Sequence, residues 1–247
     1  MNPFCAELIG TALLILLGNG VVSNALLTKT KANGASNWLL ITMGWALAVF
    51  VGVLVAGPYS GAHLNPAVTI GLAIANKFPW NSVPTFMLAQ FLGALLGAIA
   101  IWFFYKDHFN QTKDAEAKLA CFSTGPSIKN KLSNLLSETI GTLVLLMGIF
   151  YIKGADLRVE SYRMPIGLGS LDALPIFLLV LSIGISLGGT TGFAINPFRD
   201  LAPRIVHFLV PISNKGKSNW SYAWIPVLGP MIGAALSALL YLYLIKG

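Results

Sequence analysis

Two copies of the dipeptide Asn-Pro lie in similar surroundings in this 247-residue sequence. The first copy lies in Ser60–Val68 (SGAHLNPAV) and the second in Thr191–Asp200 (TGFAINPFRD). The two asparagines, Asn65 and Asn196, fall in opposite halves of the chain. A lone Asn-Pro is common in turns, but two copies in matched contexts indicate a repeated module, which constrains the fold of the whole chain.

A glutamate repeats with the same offset. The interval from Glu7 to Asn65 is equal in length to the interval from Glu138 to Asn196. The two copies of the module therefore share their internal spacing as well as their motif. This shared spacing argues against a chance recurrence of a short dipeptide.

The chain around these motifs has the composition of a membrane protein. It is 55% hydrophobic and 10% charged, whereas a soluble domain carries about 25% charged residues. A membrane-spanning helix needs about 20 apolar residues. We predict six such spans, three in each copy of the module: Pro3–Leu27, Trp38–Gly57, Trp80–Tyr105, Leu132–Lys153, Ala173–Gly189 and Trp220–Leu244.

Each Asn-Pro motif is expected to open a short helix that cannot cross the membrane alone. These segments are Pro66–Ala75 and Pro197–Leu209. Proline is favoured at the first position of a helix, and asparagine is a favoured cap before it. Irregular stretches, Gly61–Leu64 and Gly192–Ile195, precede them. Such backbone is tolerated at membrane depth only where it is buried or lines a water-filled cavity.

The spans and half-helices predict an inverted repeat of three spans per half. The first repeat covers residues 1–105, a connecting loop covers 106–131, and the second repeat covers 132–247. Two glycines four residues apart, Gly93 and Gly97, match Gly229 and Gly233. Small residues at this spacing let membrane helices pack closely, and we expect Gly93 and Gly97 on an outer face.

The doubled motif predicts a pore for small, neutral, oxygen-bearing solutes. The two half-helices meet at their N-termini, where Asn65 and Asn196 can donate N–H groups to a passing oxygen. Two positive helix ends at one point repel cations, including hydronium. The backbone carbonyls predicted to line the pore belong to Gly61, Ala62, His63, Leu64, Gly192, Ala194 and Ile195.

Three further polar residues in the spans are expected to support the loops. Glu7 and Glu138 can accept hydrogen bonds from the orphan N–H groups of the irregular stretches, although an acid inside a membrane can also couple transport to protons. Gln90 is expected to hold a loop by hydrogen bonding. His63 can line the mouth of the pore or only pack within it, and the sequence favours neither.

Several function classes are excluded or disfavoured. The net charge of +7 does not indicate nucleic-acid binding, because the basic residues lie mostly in short connections. The three histidines, His63, His108 and His207, show no metal-binding spacing. No nucleophile–base grouping suggests an enzyme, and no cofactor is expected. An ion-coupled secondary transporter, which also uses broken helices, remains as an alternative.

These motifs resemble the aquaporin superfamily, and the second motif with Asp200 directly after Arg199 resembles its glycerol-facilitator branch. The resemblance implies an all-α membrane fold of six spans and two re-entrant half-helices. It also implies a homotetramer in the lipid bilayer of the cell membrane, with a cytoplasmic N-terminus. Within this family the pore-centre motifs correspond to Asn65, Pro66, Ala67 and to Asn196, Pro197, Phe198.

The resemblance also implies a four-residue selectivity filter, fixed by distance from the asparagines: Trp45, Gly184, Phe193 and Arg199. Water-selective relatives carry histidine where this chain has Gly184. We therefore expect empty space at Gly184 and two aromatic walls, a slot that suits glycerol. Asp200 is expected to support a loop.

Phe198 departs from the family pattern, which has alanine at this position. It is expected either to pack against the opposing half-helix or to narrow the middle of the pore. Phe198 keeps open an alternative function in which the same fold conducts another neutral solute, such as undissociated lactic acid, urea or dihydroxyacetone, or mainly water.

The distribution of basic residues disagrees with a cytoplasmic N-terminus. With that orientation, the inner side carries Lys77, Lys153, Arg158, Arg163 and Lys246. The outer side carries more basic residues, namely Lys29, Lys31, Lys106, Lys113, Lys118, Lys129, Lys131, Arg199, Arg204, Lys215 and Lys217. The positive-inside rule favours the opposite orientation.

Overall fold

A computed structural model describes residues 1–34, 38–159 and 162–246 of the protein. Within this part of the chain there are ten α-helices, three short 3₁₀ segments (Trp80–Ser82, Gly169–Ala173 and Gly188–Thr190) and one β-hairpin. The helices are α1 (Pro3–Leu26), α2 (Trp38–Ser60), α3 (Pro66–Ile74), α4 (Val83–Phe104), α5 (Lys106–Gln111), α6 (Ala115–Ala120), α7 (Lys131–Tyr151), α8 (Leu174–Leu187), α9 (Pro197–Leu209) and α10 (Ile225–Lys246).

Six segments are long and apolar enough to cross a membrane, which confirms the predicted number of spans. Their bounds lie within five residues of those expected from hydropathy. Helix α2 continues three residues beyond the predicted end, to Ser60, and carries Pro58 inside it. Helix α10 begins at Ile225 instead of Trp220, since residues 220–224 form turns, and Pro226 lies in its first turn, where proline is favoured.

The two half-helices, α3 and α9, are 9 and 13 residues long. Asparagine caps both of them. Asn65 Oδ1 accepts a hydrogen bond from the Ala67 N–H at 2.9 Å. Asn196 Oδ1 accepts from the N–H groups of Phe198 and Arg199 at 3.1 and 3.2 Å. In both cases the side chain satisfies backbone donors that a helix start leaves without partners.

Two features depart from an all-helical chain with a plain connecting loop. Residues 106–131 contain the short helices α5 and α6, and Asp114 caps α6 by accepting from the Glu116 N–H at 2.8 Å. Between α7 and α8, β1 (Ala155–Val159) pairs antiparallel with β2 (Tyr162–Ile166). Both elements lie between spans, where hydropathy gives no guide to local structure.

The helices of each half pack in the same way. Helix α1 packs against α2 and α4, and α7 packs against α8 and α10. Gly93 and Gly97 lie inside the α1–α4 contact, since a Cβ on either would overlap a backbone carbonyl of α1, that of Leu8 or of Ala12. The expectation of an outer face for these glycines is therefore wrong, because their absent side chains let the two backbones touch.

The second half repeats this contact. A Cβ on Gly229 would lie 2.6 Å from Glu138 Cβ, and one on Gly233 would overlap the carbonyl oxygen of Thr139. The glycine pair of α4 thus contacts α1 closely, and the glycine pair of α10 contacts α7 in the same way. The division into a first repeat (1–105), a connecting loop (106–131) and a second repeat (132–247) stays a prediction. Residue 247, the last residue of the second repeat, lies outside the described residues.

Candidate functional site

The two asparagines at the half-helix starts are linked to opposite loops. Asn65 Nδ2 donates to Ile195 O at 2.8 Å, and Asn196 Nδ2 donates to Leu64 O at 2.9 Å. All four residues are at most 7% exposed. This reciprocal pair of bonds joins the two halves of the chain at the centre of the molecule.

Within the described part of the chain, each asparagine keeps one N–H for another partner. Its Oδ1 atom caps the half-helix, and one of its two amide hydrogens goes to the opposite carbonyl. A carboxamide carries two N–H donors. The second N–H of Asn65 and of Asn196 is therefore available to an oxygen that passes between the half-helices.

The loops before the half-helices share an unusual backbone. Three residues in each loop have positive φ, and non-glycine residues rarely adopt this conformation. The angles are 80°, 52° and 52° at Gly61, Ala62 and Leu64, and 85°, 39° and 43° at Gly192, Phe193 and Ile195. Because a positive φ at a non-glycine residue is strained, other contacts must hold both loops in place.

Glu7 provides such contacts to the first loop. Its Oε1 accepts from the His63 N–H at 2.9 Å and from Ser60 Oγ at 2.6 Å, and its Oε2 accepts from the Leu64 N–H at 2.8 Å. Gln90 Nε2 donates to the same Oε2 at 2.8 Å. The carboxylate is completely buried, and its acceptor capacity is used by the loop.

Glu138 makes the corresponding contacts to the second loop. Its two carboxylate oxygens accept from the Ala194 N–H at 3.0 Å and the Ile195 N–H at 2.9 Å. Glu138 is 1% exposed. The equal interval between glutamate and asparagine in the two halves thus corresponds to one repeated contact between a span and a loop.

His63 has features of both expected roles. Its ring lies between those of Phe78 and Phe86, with centroid distances of 4.6 and 4.9 Å. Its Nδ1 lies 3.1 Å from Thr69 Oγ1, which also accepts from Gln90 Nε2 at 2.9 Å. The residue also lines the central cavity, so packing and lining are combined.

The loops and half-helices enclose a cavity of about 140 Å³. Its lining combines the loop residues and both asparagines with apolar side chains, among them Val49 and Val53 of α2 and Val180 of α8. All of the loop residues expected from sequence to line a pore border this cavity except Gly192: Gly61, Ala62, His63, Leu64, Ala194 and Ile195. Gly192 borders a second cavity instead.

That second cavity, of about 190 Å³, forms a vestibule. Trp45, Phe193 and Arg199 line both cavities and so form the partition between them. The Arg199 Cζ atom lies 3.7 Å from the centroid of the Trp45 ring, as in a cation–π contact. These three of the four sequence-predicted filter residues thus lie at one constriction.

The constriction carries two donors without partners. Among the described residues, buried polar atoms that lack a hydrogen bond include Arg199 Nη1 and Trp45 Nε1. Buried polar groups in proteins are usually paired. Unpaired N–H groups at a constriction between two cavities are therefore candidates for binding a hydroxyl or a water molecule in transit.

The fourth filter residue, Gly184, does not border empty space. A Cβ placed on it would lie 3.1 Å from Phe193 Cζ and 3.0 Å from Thr42 Cγ2. The expectation of an unfilled position is wrong, because the tip of the Phe193 ring occupies it. Gly184 acts by making room for this ring, which forms one wall of the constriction.

Sequence reasoning missed Trp38. Its Nε1 donates to Gly184 O at 2.8 Å, and its ring meets that of Phe193 edge to face with centroids 5.8 Å apart. Trp38 lies seven residues before Trp45, about two helical turns. That spacing, which places both rings on one side of α2, was the signal that could have identified it.

Phe198 lies away from the pore. Its ring packs against that of Phe91 in α4, with centroids 5.2 Å apart and an interplanar angle of 65°. The described residues that line the central cavity do not include Phe198. The expectation that it narrows the middle of the pore is therefore wrong, and it offers no reason to favour an unusual solute.

We accordingly expect Phe198→Ala to affect stability and leave solute preference unchanged. Loss of a fully buried phenylalanine costs about 3–5 kcal/mol, and this half-buried ring should cost about 1–3 kcal/mol. Thermal unfolding in detergent and relative solute fluxes in vesicles measure the two effects. A changed ratio of glycerol to urea flux would show that the ring acts on the pore.

Asp200 supports the connecting loop and not a re-entrant one. Its Oδ2 accepts from both the N–H and the Oγ1 of Thr124 at 2.7 Å. It also forms a fully buried ion pair with Arg204, whose Nη2 lies 2.7 Å from Asp200 Oδ1. The loop that covers the vestibule is thus tied to the half-helix that carries Arg199.

Two lysines outside the membrane spans are also held by the protein. Lys118 Nζ donates to Ser213 O at 2.5 Å, and Lys215 Nζ donates to Phe208 O at 2.8 Å. Burial lowers the pKa of both ammonium groups. Lys215 lies at the negative end of α9, where cations are favoured.

Comparison with known proteins agrees with this geometry. The major intrinsic protein family matches residues 1–241 of the chain. The chain is 52% identical over 241 residues to the glycerol uptake facilitator protein of Streptococcus pneumoniae strain R6, covering 98% of each protein. It is 49% identical to the probable glycerol uptake facilitator protein of Thermotoga maritima, covering 99% of this chain and all of that protein.

A solved structure is also similar. The X-ray structure of the aquaglyceroporin from Plasmodium falciparum superposes with a TM-score of 0.81 at 31% sequence identity. The match covers 98% of this chain and 95% of the other. The six spans and two half-helices of this chain therefore adopt the fold of a solved aquaglyceroporin.

Proposed function

The chain belongs to the major intrinsic protein family, and we propose that it is a passive channel for glycerol and other small neutral solutes, with some water. It is a multi-pass membrane protein and a channel, not an enzyme. The observation that carries the proposal is the central cavity, whose lining combines hydrogen-bonding groups of the loops and asparagines with apolar side chains. Related proteins bear the name glycerol uptake facilitator.

This mixed lining suits the chemistry of glycerol. A polyol has hydroxyls along one edge and C–H groups along the other. Its hydroxyls can donate to the loop carbonyls and accept from the available N–H groups of Asn65 and Asn196, while its carbon edge lies against Val49 and Val180. Each hydrogen bond that the solute gives up with water is replaced by one with the protein as the solute advances. This exchange keeps the free-energy barrier to passage low without a tight binding site.

The constriction is assigned the role of selecting solutes. Trp45 and Phe193 offer ring surfaces to the C–H edge, and Arg199 Nη1 and Trp45 Nε1, unpaired within the described part of the chain, offer donors to hydroxyls. Gly184 makes room for the Phe193 ring. In this proposal the slot admits solutes up to about the width of glycerol. Larger solutes would lose hydrogen bonds to water that the slot cannot replace.

The centre of the cavity is proposed to exclude ions. Helices α3 and α9 both begin at the asparagines that cap them. The N-terminus of each helix contributes about half a positive charge. A cation entering between them would lose hydration and meet repulsion. A water molecule there would turn its oxygen toward two N–H donors, which interrupts a chain of proton transfer.

We further propose that the protein is a homotetramer in the cell membrane with a cytoplasmic N-terminus. The excess of basic residues on the opposite side does not exclude this orientation. Four of these residues have internal partners: Lys118, Arg199, Arg204 and Lys215. Their positions serve the fold, so they carry no information on topology.

Stopped-flow light scattering on proteoliposomes tests the function. After a glycerol gradient, vesicles with the protein should shrink and then re-swell rapidly, without saturation and without dependence on pH. A sucrose gradient should give shrinkage alone. Faster water-driven shrinkage without re-swelling in glycerol would reassign the protein as a channel for water or another solute, and uptake against a gradient would indicate a coupled transporter.

A further inference from the structure

The Phe193 ring is confined from three sides. Gly184 faces its tip, and a Cβ on Gly188 would lie 2.5 Å from Phe193 Cδ1 and 2.6 Å from Trp38 Cζ2. Gly184 and Gly188 are four residues apart and so lie on one face of the chain at the end of α8. The two glycines form a groove that holds the Phe193 ring, and Trp38 covers its open side.

Trp38 is fixed in this position by a hydrogen bond. Its indole N–H donates to the carbonyl of Gly184, which lies in the last turn of α8, where carbonyls run out of intrahelical partners. Trp38 is also 37% exposed and lines the vestibule. The ring therefore combines a hydrogen-bonded N–H, an edge-to-face contact with Phe193 and a place in the vestibule lining.

We propose that Trp38 is a positioning residue of the constriction. It holds the Phe193 ring against α8 and so sets the largest solute that passes between Phe193, Trp45 and Arg199. Without it, the Phe193 ring can turn into the vacated space and the slot widens. The inference rests on the proposed function, because it assigns a size limit to the solute path of that channel.

The test compares the size limit of the wild-type channel with that of Trp38→Leu, Trp38→Phe and a control, Trp80→Leu. Trp80 is 56% exposed and begins the 3₁₀ segment before α4, away from the constriction. Each protein is reconstituted at equal density, and permeability is measured for water, urea, glycerol and the five-carbon polyol xylitol. Thermal unfolding in detergent is recorded for each variant.

Trp38→Leu should raise the xylitol-to-urea permeability ratio by about fivefold, comparable with the effect of one hydrogen bond on an equilibrium. Trp38→Phe, which keeps a ring but lacks the N–H group, should raise it less. Trp80→Leu should leave it unchanged. A ratio in Trp38→Leu equal to that of the wild type would overturn the proposal, as would an equal loss of all fluxes, which a purely structural role would give.

Failure of the proposed function gives a different result. If the wild-type channel passes water or urea but no glycerol, glycerol conduction is refuted. The Trp38 proposal is still decided by that experiment, because it concerns the change in the size limit between wild type and variant. Passage of a larger solute by Trp38→Leu than by the wild type supports it whichever solute marks the wild-type limit.

Discussion

Glycerol permeability is expected to fall by about tenfold or more when Gly184 is replaced by leucine, which corresponds to at least about 1.4 kcal/mol in the barrier. The new Cβ would begin 3.1 Å from Phe193 Cζ and 3.0 Å from Thr42 Cγ2. The remaining carbons have to displace the Phe193 ring. Because α8 and Trp38 enclose that ring on its other sides, it can only move toward Arg199 and close the slot.

The matched control is Gly189→Leu, the same substitution five residues further on. Within the described part of the chain, a Cβ at Gly189 meets nothing within 4 Å, although the residue borders the vestibule. Its glycerol flux should stay near that of the wild type. Water flux through Gly184→Leu should fall less than glycerol flux, since water is narrower. Equal glycerol flux in the two variants would remove Gly184 from the constriction.

Glu138→Gln is expected to lower the free energy of unfolding by about 2–4 kcal/mol, the combined effect of weaker hydrogen bonds and one buried donor left without a partner. The carboxylate accepts from two adjacent N–H groups, those of Ala194 and Ile195. Glutamine has one acceptor oxygen and turns an NH₂ group toward the second N–H. Two donors then face each other in a fully buried position.

For a chain of this length the melting temperature should fall by about 5–15 °C. Glu116→Gln is the matched control, since Glu116 is exposed in the first turn of α6, and its melting temperature should not change. The same pair distinguishes the roles considered for this acid. A stable Glu138→Gln protein that had lost a pH-dependent uptake would support proton coupling in place of loop support.

Features set by repetition and chain periodicity could be predicted from the sequence. The interval between Glu7 and Asn65 recurs in the second half, and it corresponds to a span carboxylate that binds a loop. The half-helix starts followed from Asn-Pro. These inferences succeeded because helix caps and membrane spans depend on local chemistry along the chain.

Features set by side-chain packing between distant segments were not predictable in the same way. Whether Gly184 borders empty space depends on where the Phe193 ring turns, and that depends on Trp38, which lies in the other half of the chain. Phe198 carries the family position of a pore residue, yet its ring meets Phe91. Rotamers that depend on neighbours from other helices are visible only in three dimensions.

The reciprocal bonds between the loops bear on how the chain is assembled. Leu64 O and Asn65 cannot form these bonds until Asn196 and Ile195 have been synthesised, about halfway through the second half of the chain. Chains emerge at about 5–20 residues per second, so the first half spends several seconds in the membrane with these polar groups unmatched. The conducting path is therefore completed only when the second half has been inserted.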